Sequence, residues 1–365
     1  MATGFPTKAN WVSGDILTAS AMDDLAGTVN LMSNASATSG SVLLSNAAGS
    51  SFVYQSAYNG NQIINGGFDI WQRGTSFTAG SVYGADRWYL NAVTGTTTVS
   101  RDTDVPTGLA GQYSIKQLTA AGSSFAQWST PLETATVIPL QGQTMVLSWY
   151  MKANATWSNN FSAVLFYSNS TDARASQTTS VTFTAVSTPT PTTSWARYYG
   201  TFTMPSDAQG LLVQFNPTAS QASGASLNVA GVQLEIGSVP TKFKRAGGNI
   251  QGELAACQRY YWRLTAAAAN YYLGGRGNAS STTNINMFFS PPVTMRVTPT
   301  GVEGSQVSIT NEVNTYPSTA VALTLGNSND LGVSITITGP TVALQSFTAV
   351  SGSSSAGYIG FTAEL

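Results

Sequence analysis

The chain has no histidine and a single cysteine, Cys257, in 365 residues. Without histidine there is no Ser-His-Asp or Cys-His arrangement and no His-ligated zinc, and the commonest general base is missing. A lone cysteine excludes an intramolecular disulfide and a cysteine-rich zinc site. Charge is equally scarce. Charged residues make up 8% of the chain, against roughly 25% in ordinary globular proteins. Fifteen basic and sixteen acidic residues leave a net charge of −1, so no footprint for nucleic acid is present. No apolar run approaches the ~18 residues that would cross a membrane as a helix, and no membrane insertion is expected. Met1 to Asn10 lack an apolar core segment, so no secretion signal is expected. Folding in a reducing cytoplasm fits the cysteine count.

What remains is rich in strand formers and turns. Hydrophobic residues reach 42% and aromatics 10%, which separates the chain from disordered polypeptides of low charge. The polar remainder is mostly Ser, Thr, Asn, Gln and Gly. Such a surface suits β-structure and long-lived contacts between identical subunits, where a charge would have to be desolvated or paired.

Four regions follow from the pattern. Residues 1–60 form a tail. In it, Met22, Leu25, Val29 and Met32 make an apolar stripe on a helix of about three turns, after the capping-box-like Ser20-Ala21-Met22-Asp23. A helix this short is marginal alone and stable against copies of itself. A linker rich in Ser, Ala, Gly and Asn follows, with strand-like runs at Val42-Leu43-Leu44 and Phe52-Val53-Tyr54. Residues 61–245 carry strands at turn-punctuated spacing, with Asn65–Gly74 read as the first and Gly231–Phe243 as the last. Met145, Leu147, Trp149 and Met151 alternate with smaller or polar residues and should face a core. Residues 246–262 read as a linker ending in a short helix capped by Asn249, with Ile250, Leu254, Cys257 and Tyr261 on one face. Cys257 reads as a small buried hydrophobe. Residues 263–365 are again β-rich, with candidate strands at 286–290, 295–300, 306–310, 320–325, 333–338, 342–350 and 358–363. The fold class is therefore all-β: an antiparallel β-sandwich plus a second, distal β-domain, with a short N-terminal helix.

Catalytic chemistry is hard to assemble from these residues. Glycosidases need two carboxylates, and Asp69, Asp86, Asp102, Asp104, Glu133 and Glu235 are the acids to sift, but none forms a recognisable paired motif. No catalytic residue and no cofactor is expected. Gly274-Gly275-Arg276-Gly277 lacks the strand and helix context of a phosphate loop and reads as a turn or a close backbone approach. Lys242, Lys244 and Arg245 read as a solvated hinge. Aromatics are the remaining ligand candidates, since sugar rings stack their C–H faces on them. Trp71, Trp88 and Trp149 sit in strand-like contexts and are expected in the core. Trp157 looks like a loop tip. Tyr271, Tyr272 and Tyr316 look loop-like in the distal domain. These four are the candidate receptor contacts.

Several phrases resemble bacteriophage tail fibres and related virion proteins, whose module is in turn similar to carbohydrate-binding jelly rolls. They are Asn65-Gly66-Gly67-Phe68-Asp69-Ile70-Trp71-Gln72-Arg73-Gly74, Ala85-Asp86-Arg87-Trp88-Tyr89, Gly231–Phe243 and Glu253–Trp262, with an opening at Trp11–Ala19. The resemblance covers roughly residues 8–34, 61–120, 143–152 and 228–300; the last 60 residues carry none of it. It implies a jelly-roll sandwich and a homotrimer. Residues 1–60, through Trp11, Met22, Leu25, Val29 and Met32, would dock onto other tail or neck proteins. The distal domain would touch a host cell-surface glycan or protein. The location implied is the virion, in its tail or fibre, after assembly in the host cytoplasm. A neck, collar or head fibre, a polysaccharide depolymerase and a free carbohydrate-binding module are the alternatives. Carbohydrate-binding jelly rolls often hold a structural calcium between a first-loop and a last-strand carboxylate, places comparable to Asp69 and Glu235. Calcium takes six to eight oxygens, and two carboxylates do not make that set. The other reading is a salt bridge, with Arg73 or Arg87 as partner. No metal is expected.

Overall fold

Met145, Leu147, Trp149 and Met151, the alternate apolar positions, are all fully buried. In a strand, residues two apart share a face, so this strand must lie over a core. The structure is a computed structural model that describes residues 41–45, 52–56, 60–78, 80–93, 97–120, 126–172, 181–182, 188–310, 314–326, 330–337, 346–351 and 356–365. The chain divides into two units, Met1–Asn59 and Gly60–Leu365. In the first, β1 (Ser41–Ser45) pairs antiparallel with β2 (Phe52–Ser56), at the two strand-like runs of the linker. The expected N-terminal helix with Met22, Leu25, Val29 and Met32, and the docking phrase with Trp11 before it, lie outside the described residues.

The second unit begins with a sandwich of twelve described strands. They are β3 (Ser76–Phe77), β4 (Val82–Tyr83), β5 (Tyr89–Val93), β6 (Thr97–Asp102), β7 (Ser114–Thr119), β8 (Ala126–Leu132), β9 (Thr144–Ala153), β10 (Phe161–Ser168), β11 (Val181–Thr182), β12 (Ala196–Thr203), β13 (Gly210–Pro217) and β14 (Ser226–Ile236). One sheet runs β11-β10-β13-β8-β5-β4 and the other β12-β9-β14-β7-β6-β3. Among the described residues every strand pairing of the sandwich is antiparallel, as expected for a chain without crossover helices. The two inner faces meet in one core. Trp149 of one sheet lies edge-on to Phe215 of the other, ring centroids 5.3 Å apart, and Phe215 stacks on Phe161 at 5.9 Å.

The phrase Asn65–Gly74 is not a strand. Asn65 and Phe68 have φ of 57° and 53°, a left-handed backbone that breaks a ladder. The Asn65 side chain holds the resulting hook closed. Its Oδ1 accepts from Ile70 N at 3.0 Å, and its Nδ2 donates to Ile70 O at 2.8 Å and Asp86 O at 2.9 Å. The hook lies against β14, where Val232 N donates to Gly66 O at 2.8 Å. A Cβ on Gly66 would stand 2.0 Å from Val232 O, so only glycine permits this approach.

After the sandwich comes a helix, Ile250–Gln258. Asn249 caps it as expected, its side chain accepting from Gly252 N at 2.9 Å. Ile250 is exposed, and the inward positions are Glu253 and Cys257. Tyr261 does not continue the helical face: it opens β15 (Tyr261–Thr265). The remaining strands are β16 (Tyr272–Ala279), β17 (Asn284–Phe289), β18 (Gly301–Ser305), β19 (Val307–Thr310), β20 (Thr315–Gly326), β21 (Leu331–Ile337), β22 (Ser346–Ser351) and β23 (Tyr358–Thr362). β16-β17-β21-β20-β19-β22 close into a barrel, and β15-β23-β18 form a small sheet sharing its core. Closure leaves the barrel sheet no open edge for another chain to pair with. The strand expected at 295–300 is a turn-rich segment instead.

The sandwich and the distal strands are joined by side chains as well as by the helix. Arg87, 2% exposed, ion-pairs with Glu364 near the chain end, and its guanidinium lies 3.6 Å over the Tyr260 ring. Arg73 stacks 3.4 Å over Tyr261 and reaches Glu364 at 3.5 Å. Gln72 donates to Tyr261 O at 2.7 Å. Arg259 meets Glu133 at 2.9 Å. Removing one partner of a buried pair strands the other charge, which costs roughly 3–5 kcal/mol. Glu364→Gln is therefore expected to lower the unfolding free energy by roughly that amount in a denaturant titration. A shift within experimental error would mean that Arg87 is satisfied elsewhere.

Candidate functional site

The six acids that a hydrolase would have to draw on are all bonded into the framework. Asp69 accepts from Arg245 Nε at 2.7 Å and Gln112 N at 2.8 Å. Glu235 accepts from Thr241 N at 2.8 Å, Thr241 Oγ1 at 2.6 Å and Gln233 Nε2 at 2.8 Å. The salt-bridge partner of Asp69 is thus Arg245, not Arg73 or Arg87, which turn to Glu364 instead. Arg245 is accordingly no solvated hinge residue. Among the described residues no group of three or more His, Cys, Asp or Glu is gathered around one point. Asp102 pairs with Lys116 at 3.0 Å, Asp104 with Lys152, and Glu133 with Arg259. Trp195 Nε1 also donates to Asp104, at 2.8 Å.

Asp86 lies inside the junction between sandwich and distal strands. It accepts from Gln72 N at 2.9 Å and from the Gln72 side chain. Burial pushes its carboxyl up to about 6, against the lowering effect of those hydrogen bonds and of Arg73. Burial likewise raises Glu253, which accepts from Asn65 N and from Gly247 N at 2.7 Å. The Cys257 thiol, fully buried, is pushed well up by the same cause, which makes it unreactive.

The structure separates the four candidate receptor residues. Trp157 is not an exposed tip: it is 8% exposed, its ring lies edge-on to Phe161 at 6.2 Å, and its Nε1 donates to Asn159 O at 2.6 Å. The loop turns inward because the indole fills the end of the sandwich core. Tyr316 is in β20 rather than a loop, half-buried, with its ring edge-on to Phe347 at 6.2 Å. Tyr271 and Tyr272 are 52% and 55% exposed. Of the three tryptophans expected in the core, Trp88 and Trp149 are fully buried and Trp71 is partly buried against it.

Tyr272 borders a groove of about 690 Å³ with Trp262, Arg276, Phe288, Phe289 and Ser290. β16 and β17 build it. The glycine run expected as a turn lies inside β16, where register shifts at Tyr272/Gly274 and Gly274/Gly277 bulge the strand. The close approach was legible: a Cβ on Gly277 would stand 1.8 Å from Asn286 O. Arg276 pairs with Phe288 across the ladder. Phe288, 46% exposed, was not picked out as a contact. The signal was present, because Ile285, Met287 and Phe289 alternate inward and leave Asn284, Asn286 and Phe288 outward.

No family model matches the chain, and no curated protein does. Among solved structures it is similar to the enzymatically active domain of tailspike protein 4 of bacteriophage CBA120, at 17% identity and a TM-score of 0.33, over 48% of this chain and 21% of that one. It is similar to the CBM22-1 xylan-binding domain of Paenibacillus barcinonensis Xyn10C, at 15% identity and a TM-score of 0.29, over 46% of this chain and 94% of that one. A putative sugar-binding protein from Bacteroides thetaiotaomicron is matched at 13% identity and a TM-score of 0.34, over 48% and 100% of the two chains. The chain thus spans about a fifth of the tailspike and nearly all of the other two. No residue role passes from these proteins to this one.

Two outcomes follow. A carboxyl whose pKa is raised by folding binds its proton more tightly in the native state, so the stability it contributes is lost as pH rises from its ordinary 3.8 through about 6. Asp86→Asn removes that dependence, so the variant should gain roughly 2–3 kcal/mol on the parent between pH 4 and 7 in paired denaturant titrations. An unchanging difference would place Asp86 in contact with solvent. Trp157→Ala should cost roughly 3–5 kcal/mol, and Tyr272→Ala at most ~0.5 kcal/mol. Equal losses would contradict the burial assigned to them.

Proposed function

We propose that the chain is a non-enzymatic virion protein of a bacteriophage: a homotrimeric tail fibre that docks by residues 1–60 and meets a host-surface glycan with its distal domain. One observation carries the reading. The phrases that resemble phage fibres converge in space. Asn65 O accepts from Trp88 Nε1 at 3.0 Å, Asn65 N donates to Glu253, and Gln72 donates to Tyr261 O. Three separate phrases therefore build one junction, whose use is to hold a distal domain firmly on a sandwich. Beyond it, the distal domain exposes Tyr271, Tyr272 and Phe288. The six acids are taken up by structural bonds, which supports adhesion over hydrolysis. Weak single contacts suffice in such a protein, since linked copies raise avidity by roughly 10²–10⁴.

Light scattering on the full-length chain and on a version lacking residues 1–60 tests the assembly. A trimer for the first and loss of trimer for the second are expected. Monomers in both cases would contradict the fibre reading.

A further inference from the structure

The groove on the distal domain holds one formal charge, and that charge is unspent. Arg73, Arg87, Arg245, Arg259 and Arg296 each meet a carboxylate. Arg276, exposed at the groove, makes no ion pair among the described residues. Arg101, Arg197 and Arg263 have no carboxylate either, but each stacks on a tyrosine ring; Arg276 alone among the described arginines has neither kind of partner. Beside Arg276 stand two exposed rings, Tyr272 and Phe288, at 55% and 46% exposure. Away from the groove the same face continues in uncharged donors and acceptors: Asn278 lies opposite Asn286, and Asn286 opposite Ser334. Aromatic faces, amides, a hydroxyl and one guanidinium match a sugar with an apolar ring face, several hydroxyls and one acidic group. The volume, about 690 Å³, lies within the roughly 300–1,000 Å³ usual for small-ligand sites.

We propose that this groove binds one acidic sugar unit of a surface polysaccharide, its ring stacked on Tyr272 and Phe288 and its carboxylate or phosphate held by Arg276. The assignment rests on the reading that the distal domain meets a glycan, and adds which residues do so and what the glycan carries. A guanidinium fork matches a carboxylate or phosphate with two parallel hydrogen bonds. The site is open to water, so the attraction is screened by salt.

Calorimetric titration of the full-length protein tests it with three probes: trigalacturonate, its carboxyl-reduced neutral counterpart, and a glycerol-phosphate oligomer. At least one acidic probe is expected to bind about tenfold more tightly than the neutral one, the equivalent of one charge-assisted hydrogen bond. Whichever acidic probe binds names the group. Arg276→Gln and Tyr272→Ala should each weaken that binding about tenfold with the melting temperature unchanged. Equal binding of acidic and neutral probes, no binding of either acidic probe at millimolar concentration, or an Arg276→Gln variant that binds as the parent does would overturn the assignment. Labelled full-length protein on bacterial cells separates the two levels. If parent and Arg276→Gln adhere equally, the groove assignment falls and the adhesive reading stands. If the parent binds an acidic probe and adheres to no cell, the adhesive reading falls and the groove stands.

Discussion

A guanidinium out of reach of water has to find a carboxylate, and in this chain Arg87 finds Glu364, 277 positions away. The pair sets a condition on everything between. Arg87 Nη2 also donates to Pro131 O at 2.7 Å, on the strand beside it, and Tyr260 covers the cation. Its backbone is held at φ of 69°, which costs a bulky residue of order 1–3 kcal/mol. That cost is sustained because ion pair, ring and carbonyl all act on the same side chain. Until the distal strands have folded and brought Glu364 into place, Arg87 has no counter-charge. The fold therefore couples its first hook to its last residues.

This coupling gives the fibre-like phrases a physical meaning. Asn65, Gln72, Arg73, Asp86, Arg87, Glu253, Tyr260 and Tyr261 are bonded to one another and to Glu364. A change at one leaves a buried donor or charge without a partner, at a cost of one to several kcal/mol. The barrel's outward side chains carry no such obligation. Tyr272, Arg276, Asn278 and Phe288 can be exchanged with small effect on stability. A rigid junction and a permissive surface suit the adhesive role proposed for the distal domain.

How much of this was legible varied with the physics involved. Period-two alternation placed β9 in the core, because burial on one face is a local property of sequence. The Asn249 cap was legible for the same reason. The hook at Asn65–Gly74 was misread as a strand: its apolar residues suggest one, and the left-handed turns that break it depend on Asp86 and Glu253, which are distant in sequence. Trp157 was misread because a loop can carry its indole inward, a matter of shape that no spacing records. Arg245 looked like part of a hinge until Asp69 was seen opposite it. Phe288 could have been found from alternation alone, but its neighbour Phe289 drew the same apolar reading. The glycine run pointed to close approach without saying that the approach occurs within a strand.

The most direct measurement is hydrogen exchange by mass spectrometry on the full-length chain across a denaturant series, comparing peptides from β9 and β21. If the Arg87–Glu364 junction makes the sandwich and the distal strands one cooperative structure, both sets of amides lose protection at the same denaturant concentration. Exchange of β21 at clearly lower denaturant, with β9 still protected, would show two independently stable domains and contradict the central role of the junction.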